Sequence, residues 1–294
     1  MESTLMVINP VSGRQRIKPL LCKVADLFCR RGFKLTVFVT SGPGDAAGFV
    51  RGHCGEAMRV VCCGGDGTLN EVFAGLMDAG ARLPVGYIPT GTTNDFASSL
   101  GLSKNIGKAA EAALGDRCLD IDLGRFGGAR HFSYVASFGA FTNASYKTPQ
   151  WLKNALGRPS YLLYGVSSIK DIRAHGAKII ADGREIEGDF IFGSVTNSTF
   201  LGGFRPFRDG VVALDDGLFE LLLVRAPRSP GELQSIFDSM LKRSYGDGQV
   251  ALVQAREISF EFSEPVPWTL DGEFAGELSL VSVLALRKAA RIVA

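Results

Sequence analysis

The sequence predicts an α/β domain with a parallel sheet, followed by a mainly antiparallel β domain. In the first part of the chain, short apolar runs rich in β-branched residues alternate with amphipathic helical runs. Such alternation with short links builds a parallel sheet with helices on both faces, in three α/β/α layers. Beyond residue 125, strands dominate and Asp-Gly turns separate them. The 294 residues suffice for two domains of ~100–200 residues each, which we place at 1–126 and 127–294.

Hydrophobic periodicity gives the elements of the first domain. The predicted strands are 5–8, 34–39, 58–63, 85–88 and 119–123. The predicted helices are 17–31, 45–51, 69–78 and 106–114. In the first helix, Ile17, Leu20 and Val24 share one face, and Gly32 follows as a C-terminal signal. Ligands of such sheets bind beyond the carboxyl ends of the strands, so the loops there are the first candidates for a site.

The second domain reads mainly as strands joined by tight turns. The predicted strands are 131–140, 177–182, 185–196, 218–224, 256–262, 266–270 and 278–286. The predicted helices are 148–156, 161–173 and 230–243. The glycine-rich boundary at 124–130 is short, which indicates two domains that close over one cleft. We leave open whether the last strand returns to the first domain.

Composition excludes several functional classes. The net charge is +2 and no basic stripe with interleaved aromatic residues occurs, so we expect no nucleic-acid partner. The six cysteines form no Cys-x-x-Cys pair, which favours free thiols in a reducing cytosol over a zinc site. No apolar run approaches the ~20 residues of a membrane span. We therefore expect a soluble, cytoplasmic protein that at most touches a membrane surface.

The most informative stretch is Gly64-Gly65-Asp66-Gly67-Thr68-Leu69-Asn70-Glu71, between strand 58–63 and helix 69–78. Its glycines let backbone N–H groups approach a ligand, and the start of the following helix favours an anion. Asp66 adds a carboxylate, which suits a phosphate that arrives with a divalent cation or an attacking hydroxyl. Gly-Asp-Gly alone is more often a plain turn. The stretch matches neither the Walker A pattern nor the dinucleotide fingerprint.

Three further polar stretches lie at or near the ends of predicted strands. Asn9–Arg14 offers a hydroxyl, a glycine backbone and a guanidinium to a phosphate. Pro89–Ala97 combines hydroxyls, an amide and a carboxylate. Asp120 and Asp122 alternate along a strand and share one face, where one or both can serve a metal. The plain alternatives are a helix lead-in, helix caps and an exposed strand face, respectively.

Two turns of the second domain add carboxylates. They are Leu214–Gly217 and Asp271–Glu273, and each alone is most often a hairpin turn. Together they place acidic groups on loops that can face the first domain. Mg²⁺ prefers oxygen ligands and usually keeps several waters, so a few such groups suffice for a site.

These stretches resemble the diacylglycerol kinase catalytic-domain family, in particular its soluble bacterial lipid kinases, which are related to sphingosine kinases. The resemblance is carried, in the family's order, by Asn9–Gly13, Gly64–Glu71, Gly91–Phe96, Leu214–Gly217 and Asp271–Glu273. The Gly-Gly-Asp-Gly-Thr string alone is shared with NAD kinases and, more loosely, with phosphofructokinases. The resemblance implies a nucleotide-binding α/β domain, a β-sandwich lipid-binding domain and an active site in the cleft between them.

The resemblance also implies the site residues. The expected ATP contacts are Asn9, Pro10, Ser12, Gly13, Arg14, Thr40, Gly64, Gly65, Asp66, Gly67, Thr68, Asn70, Glu71, Thr92 and Asn94. The expected Mg²⁺ site consists of Asp216, the backbone carbonyls of Ala213 and Leu218, and the acidic position Asp122. The expected catalytic residues are Glu273 as proton acceptor, Asp66 and Asp95. Arg14 stands where relatives often carry lysine, which keeps the charge with a different geometry.

The expected function is that of an ATP- and Mg²⁺-dependent lipid kinase, with diacylglycerol as the first candidate acceptor at a membrane surface. The aromatic residues of 200–208, Trp151 and 161–164 are candidates for an acyl-chain site, with core packing as the alternative. An NAD kinase does not need the Asn9–Gly13 loop or the two acidic turns. An inactive nucleotide-binding regulator does not need every acidic residue. The choice among diacylglycerol, phosphatidylglycerol, ceramide, sphingosine and a polyketide-like alcohol stays open, as does a homodimer.

Overall fold

The computed structural model describes residues 2–15, 17–140, 173–246 and 248–294. The described strands are β1 Glu2–Ile8, β2 Phe33–Val39, β3 Arg59–Gly64, β4 Pro84–Pro89, β5 Cys118–Phe126, β6 Arg130–Phe132, β7 Val135–Gly139, β8 His175–Ala181, β9 Arg184–Thr196, β10 Phe219–Arg225, β11 Val250–Ala255, β12 Glu257–Leu270 and β13 Glu273–Val293. The described α-helices are α1 Leu21–Arg30, α2 Asp45–His53, α3 Asp66–Asp78, α4 Asp95–Ser99, α5 Ile106–Ala112 and α6 Pro230–Lys242.

Most predicted elements occur in the structure, with differences at their ends. The helix predicted from residue 17 begins at Leu21, because Lys18–Leu20 form a 3₁₀ turn that contains Pro19. Helix α3 begins at Asp66, three residues earlier than predicted, with Gly65 as its extended N-cap residue. The helix predicted at 148–156 and all of 161–173 except Arg173 lie outside the described residues.

Other differences concern the strands and a short helix. The predicted strands 256–262 and 266–270 form the single strand β12, whose pairing with β13 shifts register between Glu261 and Val266. Strand β11 and helix α4 were not predicted. Their sequences are too short or too weakly patterned for hydrophobic periodicity to reveal them.

The N-terminal part forms a parallel sheet covered by helices. Strand β1 pairs in parallel with β2 and β3, and β3 pairs in parallel with β4. Alternate residues of β1 enter different hydrophobic clusters, as the period of a strand requires. Val7 packs in a cluster with Phe73 of α3, whereas Ile8 packs in a cluster with Phe28 of α1 and Ile106 of α5. Both faces of β1 are thereby removed from water, as is usual for the inner strands of parallel sheets.

The C-terminal part is mainly antiparallel and has a core of aromatic residues. The fully buried Trp268 makes edge-on contacts with Phe126 and Phe260 and packs against Phe138. Edge-to-face and tilted ring pairs of this kind add to the free energy gained from burying their area. The core therefore holds β5, β7 and β12 in fixed positions relative to one another.

Strand β13 joins the two parts of the chain. It pairs antiparallel with β12 and with β5, and its last residues pair in parallel with β4, where Arg291 lies opposite Pro84. The strand order is β11-β10-β9-β7-β12-β13-β4-β3-β1-β2, so one hydrogen-bonded system runs through both parts. Because β13 begins at Glu273, this residue is connected by backbone pairing to the parallel sheet.

Candidate active site

Three loops meet at the carboxyl ends of β1, β3 and β4. The backbone N–H of Asn9 donates to the carbonyl of Cys63 at 2.9 Å, and that of Thr90 donates to the carbonyl of Gly64 at 2.8 Å. The Asn9 side-chain amide donates to the Thr68 hydroxyl at 3.0 Å. The structure thus brings together the stretches that sequence analysis placed separately after the strands. Pro10 and Arg14 lie in the first of these loops.

Glycine is required where the loops touch. Gly13 has a φ of +47°, and a Cβ added there would collide with the carbonyl oxygen of Thr90. A Cβ at Gly91 would lie 2.7 Å from the Cα of Gly65, closer than real Cβ atoms approach. A Cβ at Gly65 would lie 3.5 Å from the Ser12 hydroxyl oxygen. The loops therefore form a cradle of backbone with little side-chain bulk.

The first turn of α3 opens onto this cradle. Gly65 supplies no side chain to cap the helix, and Asp66, Gly67 and Thr68 form its first residues. The first N–H groups of a helix have no partner within it, and the helix dipole adds partial positive charge there. A phosphate group is the natural ligand of such an arrangement.

Asp66 is a buried carboxylate at this helix start. Its Oδ1 accepts a hydrogen bond from the Tyr87 hydroxyl at 3.2 Å, and its Oδ2 accepts one from the Asp95 backbone N–H at 2.9 Å. Burial raises the pKa of Asp66 to about 6, and the negative charges of Asp271 and Asp95 add to the rise, against the opposing hydrogen bonds. A carboxyl group with such a pKa changes charge near neutral pH, as is common at active sites.

Glu273 approaches the same helix turn from the C-terminal part. A Cβ placed on Gly67 would lie 2.7 Å from Oε1 of Glu273, so the carboxylate lies directly against α3. Glu273 is exposed, whereas Asp66, one position before Gly67, is buried. A solvent-open carboxylate beside a phosphate cradle can accept a proton from an attacking hydroxyl.

Asp271 fixes the turn that carries Glu273. Its carboxylate accepts hydrogen bonds from the backbone N–H groups of Ser133, Tyr134 and Val135 at 2.7 to 3.0 Å, and from the Ser133 hydroxyl at 2.8 Å. Burial raises the pKa of Asp271 to about 6 despite these bonds. Sequence analysis placed Asp271 in an acidic turn that can face the first domain but gave it no role of its own, because its partners lie far away in the chain.

Asp95 bridges the two parts of the protein. Its side chain is almost fully buried and accepts the backbone N–H of Gly203 at 3.0 and 3.2 Å, while its own N–H binds Asp66. Burial raises the pKa of Asp95, although hydrogen bonds from Gly203 and Gly202 oppose the shift. The side chain of Asp95 therefore faces the 198–204 loop.

Several side chains predicted to contact the nucleotide form hydrogen bonds to the backbone of the protein itself. The carboxylate of Glu71 accepts the N–H groups of Gly44 and Ala46 at the start of α2, at 2.9 and 3.1 Å. The Asn70 amide donates to the carbonyl of His131 at 3.2 Å. The Thr40 hydroxyl donates to the Ile8 carbonyl. The nucleotide roles of these side chains stay predictions.

The loop before α4 places one predicted residue in solvent and one inside. Thr92 is exposed, whereas Asn94 is 2% exposed and has a φ of +51°. The Asn94 amide donates to the carbonyl of Gly91 at 2.9 Å. Its Oδ1 is buried and has no hydrogen-bond partner among the described residues.

The predicted metal loop is held by Asp122. Both carboxylate oxygens of Asp122 accept backbone N–H groups, from Gly217 and from Lys288, each at 2.6 Å. Burial raises the pKa of Asp122. Asp120 does not join it, because it forms ion pairs with Arg82 and Arg291. Asp122 therefore serves to fix the 213–218 loop.

The 213–218 loop itself offers oxygen atoms at the surface. Ala213 and Asp216 are exposed, and Oδ1 of Asp216 accepts the backbone N–H of Leu218 at 2.9 Å. Among the described residues, no group of three or more acidic, cysteine or histidine side chains is arranged around a common point. One carboxylate with backbone carbonyls fits Mg²⁺, which keeps several waters, better than a metal that needs a full set of side-chain ligands.

Comparison with known proteins decides the family. Residues 3–126 match the diacylglycerol kinase catalytic domain, and residues 135–292 match the YegS C-terminal NAD kinase beta sandwich-like domain. A diacylglycerol kinase of Bacillus subtilis (strain 168) is 30% identical over 280 residues, which cover 95% of this chain and 92% of the relative. The chain belongs to the diacylglycerol kinase catalytic-domain family. It is therefore a lipid kinase, and kinases of this family use ATP as phosphate donor.

Further relatives agree with this family. A diacylglycerol kinase of Staphylococcus carnosus is 28% identical, with 93% of this chain and 89% of the relative covered. A crystal structure from Bacillus anthracis str. Sterne, of a protein provisionally assigned as a diacylglycerol kinase, superimposes with a TM-score of 0.81 at 26% identity. The match covers 99% of this chain and 95% of that one. The predicted resemblance is confirmed.

The candidate site also contains residues to which sequence analysis gave no site role. The Tyr87 hydroxyl donates to Asp66, the charge of Asp271 helps to raise the pKa of Asp66, and the Lys288 backbone N–H donates to Asp122. Tyr87 lies inside an apolar strand and gives no polar signal of its own. Lys288 has a φ of +51°, a backbone feature that its sequence context does not reveal.

Proposed function

We propose that the enzyme transfers the γ-phosphate of ATP to the hydroxyl of diacylglycerol, in a Mg²⁺-dependent reaction that yields phosphatidic acid. The observation that carries this proposal is the contact of Glu273 with the first turn of α3 at Gly67. It joins a proton acceptor from one part of the chain to a phosphate cradle in the other. The names of the curated relatives support diacylglycerol as the acceptor.

ATP is proposed to bind with its phosphates in the cradle of the 9–14, 64–68 and 89–94 loops. The glycines carry no side chains that would keep a phosphate away from the backbone of these loops, and the α3 N-terminus supplies N–H donors. Thr40 lies at the end of the neighbouring strand β2, within the same row of strand ends.

Two carboxylates, Glu273 and Asp66, lie at the proposed transfer step. Glu273 receives the proton of the lipid hydroxyl while the lipid oxygen forms a bond to the γ-phosphorus, and the bond to the β,γ-bridging oxygen breaks to release ADP. Asp66 lies beside the helix start, where its charge is controlled by burial and by Tyr87 and Asp95. Phosphoryl transfer depends mainly on positioning and on charge neutralisation, and a carboxylate needs only to accept the proton of the attacking hydroxyl.

Asp216 and the carbonyls of Ala213 and Leu218 are proposed to hold Mg²⁺. When bound, the ion would neutralise phosphate charge and help to orient the nucleotide. Asp122 keeps these oxygen atoms in place through its hydrogen bond from the Gly217 backbone. In this proposal Asp122 positions the loop through the backbone, and Asp216 supplies the charged ligand.

The lipid is proposed to reach the site from a membrane surface. Among the described residues no helix is long and apolar enough to cross a bilayer. The 200–208 loop combines Phe200, Phe204 and Phe207 with two arginines. Phe207 is buried in a core cluster, whereas Phe200 and Phe204 are partly exposed and stay candidates for acyl-chain contacts.

The test is transfer of label from [γ-³²P]ATP to a panel of lipid alcohols in detergent micelles, with and without Mg²⁺. The panel contains diacylglycerol, ceramide, sphingosine and phosphatidylglycerol, with NAD as a separate arm. We expect labelled phosphatidic acid as the main product, and none without Mg²⁺. Label in NADP with none in any lipid would overturn the proposal.

A further inference from the structure

Ser99 connects the nucleotide part of the protein to a loop of the C-terminal part. Its hydroxyl oxygen lies 2.7 Å from that of Ser198 and accepts the backbone N–H of Thr199 at 3.1 Å. The Thr199 hydroxyl also donates to it at 3.2 Å. Ser99 ends α4, the short helix that begins at Asp95. One side chain of the first part thus takes part in three contacts with the second.

The same loop is held a second time at its tip. Leu201 and Phe204 exchange backbone hydrogen bonds at 2.8 and 3.0 Å, so Gly202 and Gly203 form a two-residue turn. Both glycines have positive φ, +59° and +81°, as a tight hairpin turn of this kind requires. The N–H of Gly203 points to the carboxylate of Asp95, which also begins α4.

Helix α4 therefore holds the 198–204 loop through its first residue, Asp95, and its last residue, Ser99. Asp95 binds the tip of the loop and Ser99 binds its base. The backbone N–H of Asp95 donates to Asp66 at 2.9 Å. A continuous chain of hydrogen bonds thus runs from Asp66 to the 198–204 loop.

We propose that Ser99 is a positioning residue that sets the place of the lipid acceptor relative to the bound nucleotide. It acts by fixing the 198–204 loop, with Phe200 and Phe204, to the helix that also positions Asp66. The inference rests on the proposed lipid kinase function. Phe200 and Phe204 are the candidate acyl-chain contacts, so a loosened loop should weaken lipid binding more than nucleotide binding.

The chain offers a matched control. The hydroxyl of Ser98 donates to the carbonyl of Asn94 at 3.0 Å, and that of Ser99 donates to the carbonyl of Asp95 at 3.0 Å. Both are bonds to the fourth residue before within one helix. Ser99 additionally binds the loop, so the Ser99→Ala and Ser98→Ala variants differ mainly in the loss of those contacts.

The experiment measures steady-state kinetics and amide hydrogen exchange in the full-length wild-type and variant proteins. In Ser99→Ala we expect the KM for diacylglycerol in micelles to rise about 3- to 10-fold, the effect of one or two lost hydrogen bonds. The KM for ATP should stay within about 2-fold. The amides of Thr199 and Gly203 should exchange faster. Ser98→Ala should match wild type in all three measurements, and Ser99→Thr should restore the lipid KM because it keeps a hydroxyl.

Three outcomes would overturn the proposal. They are equal effects of Ser99→Ala and Ser98→Ala, a parallel rise of both KM values, and faster exchange at Thr199 with an unchanged lipid KM. If wild-type protein transfers phosphate to no lipid, the proposed function fails instead. In that case the exchange of Thr199 still decides whether Ser99 holds the loop.

Discussion

The carboxylate of Glu273 lies against Gly67, the second residue of helix α3. A methyl group at Gly67 would be 2.7 Å from Oε1 of Glu273, a distance that real Cβ atoms essentially never show. This contact brings the first residue of β13 to the phosphate cradle, although the two residues are far apart in the chain. Asp271 secures the same turn through hydrogen bonds to the Ser133–Val135 backbone.

The contact predicts that Gly67→Ala lowers the activity of the enzyme but not its stability. Alanine favours a helix over glycine by up to about 1 kcal/mol, so the unfolding temperature should not fall appreciably. Glu273 must move to make room, and we expect kcat to fall at least ~10-fold, since small displacements of reacting groups are costly. The measurement is kcat with diacylglycerol together with thermal unfolding. The control is Gly48→Ala in α2, where an added Cβ meets nothing within 4 Å and activity should persist.

Asp66→Asn should retain less than about a tenth of wild-type turnover, because charged groups in acid–base or metal roles typically supply ~10²–10⁴-fold. Asparagine keeps nearly the same shape and an acceptor for the Asp95 N–H, so the protein should fold. Asp26→Asn, an exposed change in α1, should retain full turnover. Turnover near wild type in Asp66→Asn would remove Asp66 from the catalytic residues.

The same variant tests the buried state of Asp66 through the pH dependence of stability. The pKa of Asp66 is raised from 3.8 to about 6, so the folded protein favours its protonated form. The resulting contribution of Asp66 to the free energy of unfolding is fully present below ~pH 4 and is lost as the pH rises through about 6. Relative to wild type, the free energy of unfolding of Asp66→Asn should therefore rise between pH 4 and 7, by up to about 3 kcal/mol. Denaturant unfolding at several pH values measures this. A difference from wild type that does not change with pH would contradict the raised pKa.

The structure brings together most of the loops that sequence analysis predicted, because their signals are local. The Gly64–Glu71 stretch shows its strand, loop and helix in adjacent residues, and parallel strands necessarily bring their carboxyl ends together. The bond between Asp95 and Gly203, the four bonds of Asp271 and the place of strand β11 depend on pairing between distant segments. Such pairing is decided by packing of the whole protein, which hydrophobic periodicity does not describe.

Asp216→Asn should weaken the use of Mg²⁺ more than it weakens the chemical step. Loss of one charged oxygen ligand lowers metal affinity, so half-saturation should require more Mg²⁺, and added Mg²⁺ should restore part of the activity. A Mg²⁺ titration of kcat measures this shift. The neighbouring Asp215, which pairs with Lys288 at 3.2 Å, provides the control variant Asp215→Asn. An unchanged half-saturation in Asp216→Asn would mark Leu214–Gly217 as only a hairpin turn.

The Glu273→Gln variant tests the central claim most directly, because it keeps the shape of the side chain and removes the proton acceptor. Nucleotide affinity, measured by equilibrium binding, and single-turnover transfer to diacylglycerol should be compared with those of Glu277→Gln, an exposed change on the same strand. If Glu273 receives the hydroxyl proton, nucleotide affinity stays within a few-fold while transfer falls by roughly 10²–10⁴. Equal losses of nucleotide binding and transfer, or full activity in the variant, would contradict this role.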